Sequence, residues 1–289
     1  MRPVLGQRDS ATGRDMTRFG FVTWDGGGNV PPAVGMAQEL ASRGHDVVFI
    51  GYEVQRKRLE AKGFGFFALP RIGQFDIYGA TDIPQRIAGM VANVWASPDH
   101  VLDVPDAVAA MSVDALIIDF AMHGALAAAA RLQIPVAVLA HSSIAGLVPP
   151  PESPIGATRL TATNRLRGHA GLAALRRLND AWTGYLTLVT TIPALDPAAA
   201  GVDSRVHYVG PIVESFPDQP WDSPWDANDD RPMVVVSFTT TAHWDQRSRI
   251  RNTLEALAEE PVRVLVSAPQ STDLAPVPKN AVIKAGTIV

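Results

Sequence analysis

Several short runs in this sequence carry groups able to do chemistry, and each follows a stretch of strand-forming residues. Asp25-Gly26-Gly27-Gly28-Asn29 follows Phe19–Trp24, and Asp119 ends the apolar run from Ala115, with His123 close behind. His141-Ser142-Ser143 follows Ile134–Ala140, and Ser237 with Thr239-Thr240-Thr241 follows Met233–Val236. Three consecutive glycines remove every Cβ from a loop, so its backbone can take positive φ and a ligand can approach closely. Carboxylates and imidazoles at strand ends could exchange a proton with that ligand. Hydroxyls and N–H groups at a strand-to-helix turn could receive a phosphate. Plainer readings stand beside these. Asp119 could tie a loop or cap a helix, the glycines could form a tight turn, and Ser237 could cap the next helix. His123 and His141 could be satisfied by backbone carbonyls, while His45, His100 and His169 read as structural or solvated.

The elements that would position these groups begin with a βαβ unit. The strand Phe19–Trp24 enters the glycine loop, and Pro31-Pro32 suits the first turn of a helix, where missing N–H groups cost nothing. Val34, Ala37, Leu40 and Ala41 recur at helical spacing, with Gln38, Glu39, Ser42 and Arg43 on the other side. Gly44 stands where a left-handed cap is expected, and Asp46–Gly51 resumes as a nearly all-apolar strand. Units of this kind build parallel sheets whose ligands sit outside the carboxyl ends of the strands. Asp25, Asn29, Asp119 and His141 should converge at that edge, lining a cleft for a small-molecule ligand.

Further strands are expected at 63–70, 114–120, 134–140, 186–190 and 206–209, and helices at 53–62, 84–95, 100–111 and 124–132. Residues 71–84 read as a long loop of the kind that lines binding clefts. Pro149-Pro150-Pro151 reads as a stiff surface segment, followed by an amphipathic stretch over 172–185. Residues 214–232 shift to Pro, Asp, Trp and Ser, a linker's composition. Beyond it, strands at 233–238, 262–266 and 281–284 with one helix to about 259 make half of a layered α/β domain.

A chain of 289 residues with 47% hydrophobic and 19% charged residues is globular rather than disordered. A net charge of -4, with Lys and Arg scattered, offers no field for nucleic acid. The absence of cysteine removes disulfides, thiolate zinc sites and cysteine nucleophiles, and fits a reducing cytoplasm. No apolar run reaches the roughly 18 residues of a spanning helix. Residues 1–15 lack the apolar core of a secretory signal and read as an extension or tag, with Met16 a natural start.

Taken in order, Gly27-Gly28-Asn29-Val30-Pro31-Pro32, Arg43-Gly44-His45-Asp46, Ile118-Asp119-Phe120, Leu195-Asp196-Pro197, Tyr208-Val209-Gly210-Pro211 and Val235-Val236-Ser237-Phe238 resemble one family. It is the two-domain (GT-B type) nucleotide-sugar glycosyltransferases, especially their macrolide-type, UDP-glucuronosyltransferase-like branch. The resemblance covers nearly all of residues 16–289. It implies an α/β fold with a Rossmann-like parallel-sheet N-terminal domain and the first part of a second such domain. The implied divisions are an acceptor-binding domain over 16–212, a linker over 213–231 and a partial donor-binding domain over 232–289. The implied reaction moves a hexose from a nucleotide-diphosphate sugar, as co-substrate, to a hydrophobic natural product or lipid, with no cofactor and no metal.

In that family a histidine in the first loop commonly takes the acceptor's proton, oriented by an aspartate at the end of a later strand. Asn29, which cannot act as a base, matches the histidine here, and Asp119 matches the aspartate. The bases left by this comparison are Asp119, Asp25 and His123. Gly27, Gly28, Asn29, His141 and Ser142 are implied acceptor contacts, and Ser237, Thr239 and Thr240 implied donor contacts. The family's late His-Gly-Gly stretch does not occur in the sequence. The second domain is therefore expected to be incomplete, to lack a competent donor site, and to move freely or be covered by another chain through self-association. Two other readings compete. One is a non-catalytic pseudo-transferase that binds an acceptor or partner. The other is a nicotinamide- or flavin-dependent oxidoreductase, disfavoured because Pro31 stands where the dinucleotide fingerprint needs glycine.

Overall fold

The computed structural model describes residues 16–72, 82–216, 222–238, 246–268 and 274–285. The chain divides into two compact units, the first reaching Ser215 and the second beginning at Phe216.

The first unit is a seven-stranded sheet of order β3-β2-β1-β4-β5-β6-β7 in which every ladder is parallel. Its strands are β1 Arg18–Val22, β2 Asp46–Gly51, β3 Gly65–Ala68, β4 Ala115–Asp119, β5 Val136–Ala140, β6 Leu186–Val189 and β7 Val206–Tyr208. Its helices are α1 Val30–Ser42, α2 Arg56–Glu60, α3 Ile83–Met90, α4 His100–Met111, α5 His123–Ala129, α6 Ile144–Leu147 and α7 Pro154–His169. Side chains alternate across a strand, so each buried strand feeds two cores. Phe21, Phe49, Ile117 and Leu139 join Val30, Ala33, Val34 and Ala37 of α1 on one face. Val22, Ile50, Leu116, Ile118 and Val138 join Val104 of α4 and Ala125 of α5 on the other. The buried stripe of α1 thus starts at Val30 and leaves Ala41 exposed, a slight rotation from the spacing expected in sequence. Gly44 does adopt positive φ, at 87°.

Two further differences concern helices. The helix expected to 95 ends at Met90 and continues as one π-helical turn, Val91–Trp95. Such turns are rare and favour functional sites. The amphipathic stretch over 172–185 contains only a short 3-10 turn, Leu178–Trp182, and the long helix of this region is α7 before it. Residues 73–81 of the expected long loop lie outside the described residues.

After β7 the chain is fastened to the first unit. Glu214 is buried between Arg58 and Lys62, and Gln38 both donates to the Ser215 carbonyl and accepts its N–H. A Cβ on Gly35 would stand 2.5 Å from the Val213 carbonyl oxygen, so the segment lies directly on α1.

The second unit holds a three-stranded parallel sheet of order β10-β9-β8, with β8 Met233–Val236, β9 Arg263–Ala268, β10 Ala281–Ala285 and helix α8 Gln246–Leu257. Val236, Ile250, Leu254, Val264 and Val266 form its core, while Met233 and Val235 alternate outward and stay about half exposed.

Candidate functional site

β1 and β4 are neighbours at the middle of the first sheet, and the chain winds outward from them in opposite directions. Such a reversal opens a crevice beyond the strand carboxyl ends, where open α/β sheets take ligands. The glycine loop comes from β1 and the turn Phe120–Met122 comes from β4. Gly27 holds φ 76°, a conformation that favours glycine. Gly28 is exposed, and a Cβ added there would meet nothing within 4 Å.

Asn29 precedes α1 but does not cap it. Its side chain turns back into the crevice floor, where Nδ2 donates to Asp119 Oδ2 at 3.1 Å and to the Trp24 carbonyl at 2.8 Å. Its Oδ1 accepts the Gly26 N–H at 3.0 Å. The amide is therefore spent inside the protein, and Asn29 is only 1% exposed. Asp119 is 3% exposed. Its Oδ1 accepts the Ala121 N–H at 2.9 Å, and its Oδ2, besides accepting from Asn29, faces His141 Nδ1 at 3.5 Å.

His141 leaves β5 two residues beyond Leu139, the register partner of Asp119. Its ring meets Phe120 edge-on at 5.1 Å, and Phe120 in turn meets Trp182 edge-on at 5.7 Å. Ser142 follows in the open, and Ser143 caps α6 by accepting the Gly146 N–H. Asp25 lies half-buried in the glycine loop.

His123 has a different setting. Its Nδ1 lies 3.1 Å from the Ala121 carbonyl and its Nε2 3.3 Å from the Leu178 carbonyl, at 2% exposure. Burial, aided by the Arg159 charge, pushes its pKa down to about 4. Both ring nitrogens face backbone oxygens, which leaves neither for a substrate.

Ser237 is exposed just past β8 in the second unit. Thr239 and Thr240, expected beside it, lie outside the described residues.

Two buried groups near Asp119, Arg159 and Tyr52, carried no expectation from sequence. Arg159 of α7 stacks over Trp95 at 4.5 Å and donates to the Leu147 carbonyl at 3.3 Å. Burial pushes it down to about 10, opposed by attraction to Asp119. Tyr52 donates to the Asn93 carbonyl in the π-helical turn and lies 3.3 Å from His100 Nε2. Burial, then the charge of Asp119, raises its phenol so far that it stays protonated. Asp196 carries a resemblance motif, yet its role here is local. It accepts Ile144 N–H at 2.7 Å, Ala145 N–H at 3.2 Å, Ala198 N–H at 3.0 Å and the Tyr208 hydroxyl at 2.8 Å. It thereby fixes α6, the helix that begins three residues after His141. Among the described residues no group of three or more His, Asp or Glu side chains could hold a metal ion, and no helix is long and apolar enough to cross a membrane.

No family model matches the chain. A relative named 4'-demethylrebeccamycin synthase, from Lentzea aerocolonigenes, is 28% identical over 301 residues, covering 89% of this chain and 71% of its own. The structure of the kitacinnamycin glycotransferase superimposes with a TM-score of 0.71 at 16% identity, over 93% of this chain and 70% of its own. The glycosyltransferase SnogD from Streptomyces nogalater superimposes with a TM-score of 0.63 at 17% identity, over 93% and 71%. The spinosyn rhamnosyltransferase SpnG, solved with thymidine diphosphate, gives 0.62 at 16% identity, over 94% and 71%. At those identities the structures establish the fold. Together with the relative in sequence, they make this chain similar to glycosyltransferases of natural products that share the GT-B fold.

Proposed function

We propose that this protein transfers a hexose from a nucleotide-diphosphate sugar to a hydrophobic small molecule, a natural product or lipid, seated in the crevice between β1 and β4. The observation that carries the reading is the meeting of Asn29, Asp119 and His141 where that crevice opens. An acceptor hydroxyl attacking the anomeric carbon must lose a proton, and the departing diphosphate must be met by donors. Asp119 is buried with both oxygens engaged, so its part is to orient a base and balance its charge. Ser237, with Thr239 and Thr240, is assigned to the diphosphate on the sequence, in which their hydroxyls closely follow the apolar run Met233–Val236. No resident cofactor enters this scheme. The SpnG structures with thymidine diphosphate and with spinosyn aglycone support both a nucleoside diphosphate and an aglycone as ligands.

The test is incubation of the purified full-length protein with dTDP- and UDP-hexoses and a panel of hydrophobic aglycones, read by mass spectrometry. A product heavier than the aglycone by one hexosyl unit is expected. An aglycone that binds and is never glycosylated with any donor would favour a non-catalytic binding protein instead.

A further inference from the structure

Asn29 offers no base, and the two carboxylates and one histidine that sequence analysis put forward, of which Asp25 alone lies in the same loop, do not fill the gap equally. Asp119 has each oxygen held by an N–H donor at 3% exposure, and His123 has both nitrogens on backbone carbonyls. Resting on the transferase reading above, we infer that His141 is the general base, carried on β5 instead of the first loop, and that Asn29 is its positioning residue through Asp119.

The tautomer follows from hydrogen-bond chemistry. His141 Nδ1 is buried, finds no full hydrogen bond, and points at Asp119 Oδ2 at 3.5 Å. An ionised carboxylate only accepts, so the nitrogen facing it carries the proton. A neutral ring then leaves Nε2 with its lone pair, and the 16% of the side chain that remains exposed lies away from Nδ1. The 3.5 Å gap exceeds an N–H···O bond, yet base-orienter contacts in unliganded sites are often long and tighten when substrate binds. Asn29 and the Ala121 N–H grip the carboxylate from two sides and hold Oδ2 toward His141. The Phe120 ring edge fixes the imidazole plane, itself braced by Trp182. An amide at position 29 is thus no vacancy: it donates to the aspartate, and the imidazole sits on the adjacent strand.

In the step, the acceptor oxygen forms its bond to the anomeric carbon as the bond from that carbon to the diphosphate oxygen breaks. The nucleoside diphosphate leaves with the electron pair. The acceptor proton passes to His141 Nε2, giving an imidazolium whose charge Asp119 balances, and then to solvent. Among the described residues, the charged group facing His141 is Asp119, whose own field reaches Arg159 of α7 and Tyr52 after β2.

Three measurements test this on the full-length protein. In His141→Gln, kcat should fall about 10²- to 10⁴-fold with acceptor KM nearly unchanged, and the acid-side limb of the pH-rate profile, where a general base is lost to protonation, should vanish. Introducing Asn29→His into that variant should restore part of kcat, because it returns an imidazole to Asp119 from the other strand. On the wild type, ¹⁵N NMR of His141 should find Nδ1 protonated, with the tautomer shifting in Asp119→Asn. A His141→Gln variant with wild-type kcat and pH profile overturns the inference while leaving the transferase reading intact, as does a large loss confined to Asp25→Asn. An Nε2-protonated ring in the wild type overturns it whatever the turnover. A wild type that transfers no sugar overturns the transferase reading and this inference together.

Discussion

The Asn29 side-chain amide donates to the Asp119 carboxylate at 3.1 Å, joining the loop after β1 to the end of β4 across ninety residues of sequence. Both partners are almost fully buried. The bond closes the floor of the crevice at the point where the sheet's winding reverses, so the stability of the loop and the orientation of the carboxylate are one property.

Asn29→Ala should therefore lower stability and turnover together. It removes donors from Asp119 and the Trp24 carbonyl and an acceptor from Gly26 N–H, all within the buried floor. Leaving buried polar groups unpaired costs about 1–3 kcal/mol. Asn29→Asp should cost more, since it sets a second carboxylate against the first. Denaturant unfolding of the two variants checks the order.

Gly28→Ala separates ligand approach from folding. Space around Gly28 is empty and its φ is not positive, so a methyl group strains nothing. The unfolding midpoint should stay at the wild-type value while acceptor KM rises several-fold. Unchanged KM for every acceptor would place the ligand elsewhere.

Acid should weaken the first unit through two buried histidines. Burial pushes His100 down to about 3 and His123 to about 4, so both are neutral in the folded protein over a range where the unfolded chain, near 6.5, takes up protons. Stability is full above pH 6.5 and falls as pH drops toward 4 for His123 and 3 for His100, at about 1.4 kcal/mol per pH unit for each ring. Unfolding free energies between pH 7 and 4 should show this slope, reduced in His123→Gln.

Asp196→Asn should loosen the chain just after His141. Burial raises the Asp196 carboxyl, but hydrogen bonds from Tyr208, Ala198, Ile144 and Ala145 outweigh it and hold it below the usual carboxylate range. An amide replaces one accepting oxygen with a donor that faces N–H and O–H groups. The loss should be roughly 1.5–3 kcal/mol, with faster amide exchange at Ile144 and Ala145.

How far these features were legible in the sequence depends on what kind of signal each one leaves. The central strands of the first sheet stood out because strands covered on both faces are written as continuous apolar runs, as in Asp46–Gly51. Helix α7 did not, because the face it buries is Gly156, Arg159, Thr163 and Leu166, which shows no apolar period. Its local start signal was present: Ser153 accepts the Gly156 N–H and Pro154 occupies the first turn. Asn29, Asp119 and His141 could each be marked as lying at strand ends. Their mutual contact could not, since it depends on β4 lying between β1 and β5 and on the register that pairs Asp119 with Leu139. His123 shows the same limit from the other side. Its place at the start of α5 resembles a site, and only the carbonyl of distant Leu178 discloses that both ring nitrogens face the backbone.

The most direct test of this account compares wild type and Asp119→Asn in one assay, with the same nucleotide sugar and the same hydrophobic aglycone. Wild type should form the hexosylated product, and the variant, which keeps the shape but loses the charge facing His141, should turn over about 10²- to 10⁴-fold more slowly at similar acceptor KM. Equal turnover by the two proteins would contradict the assignment of this crevice as the site of transfer.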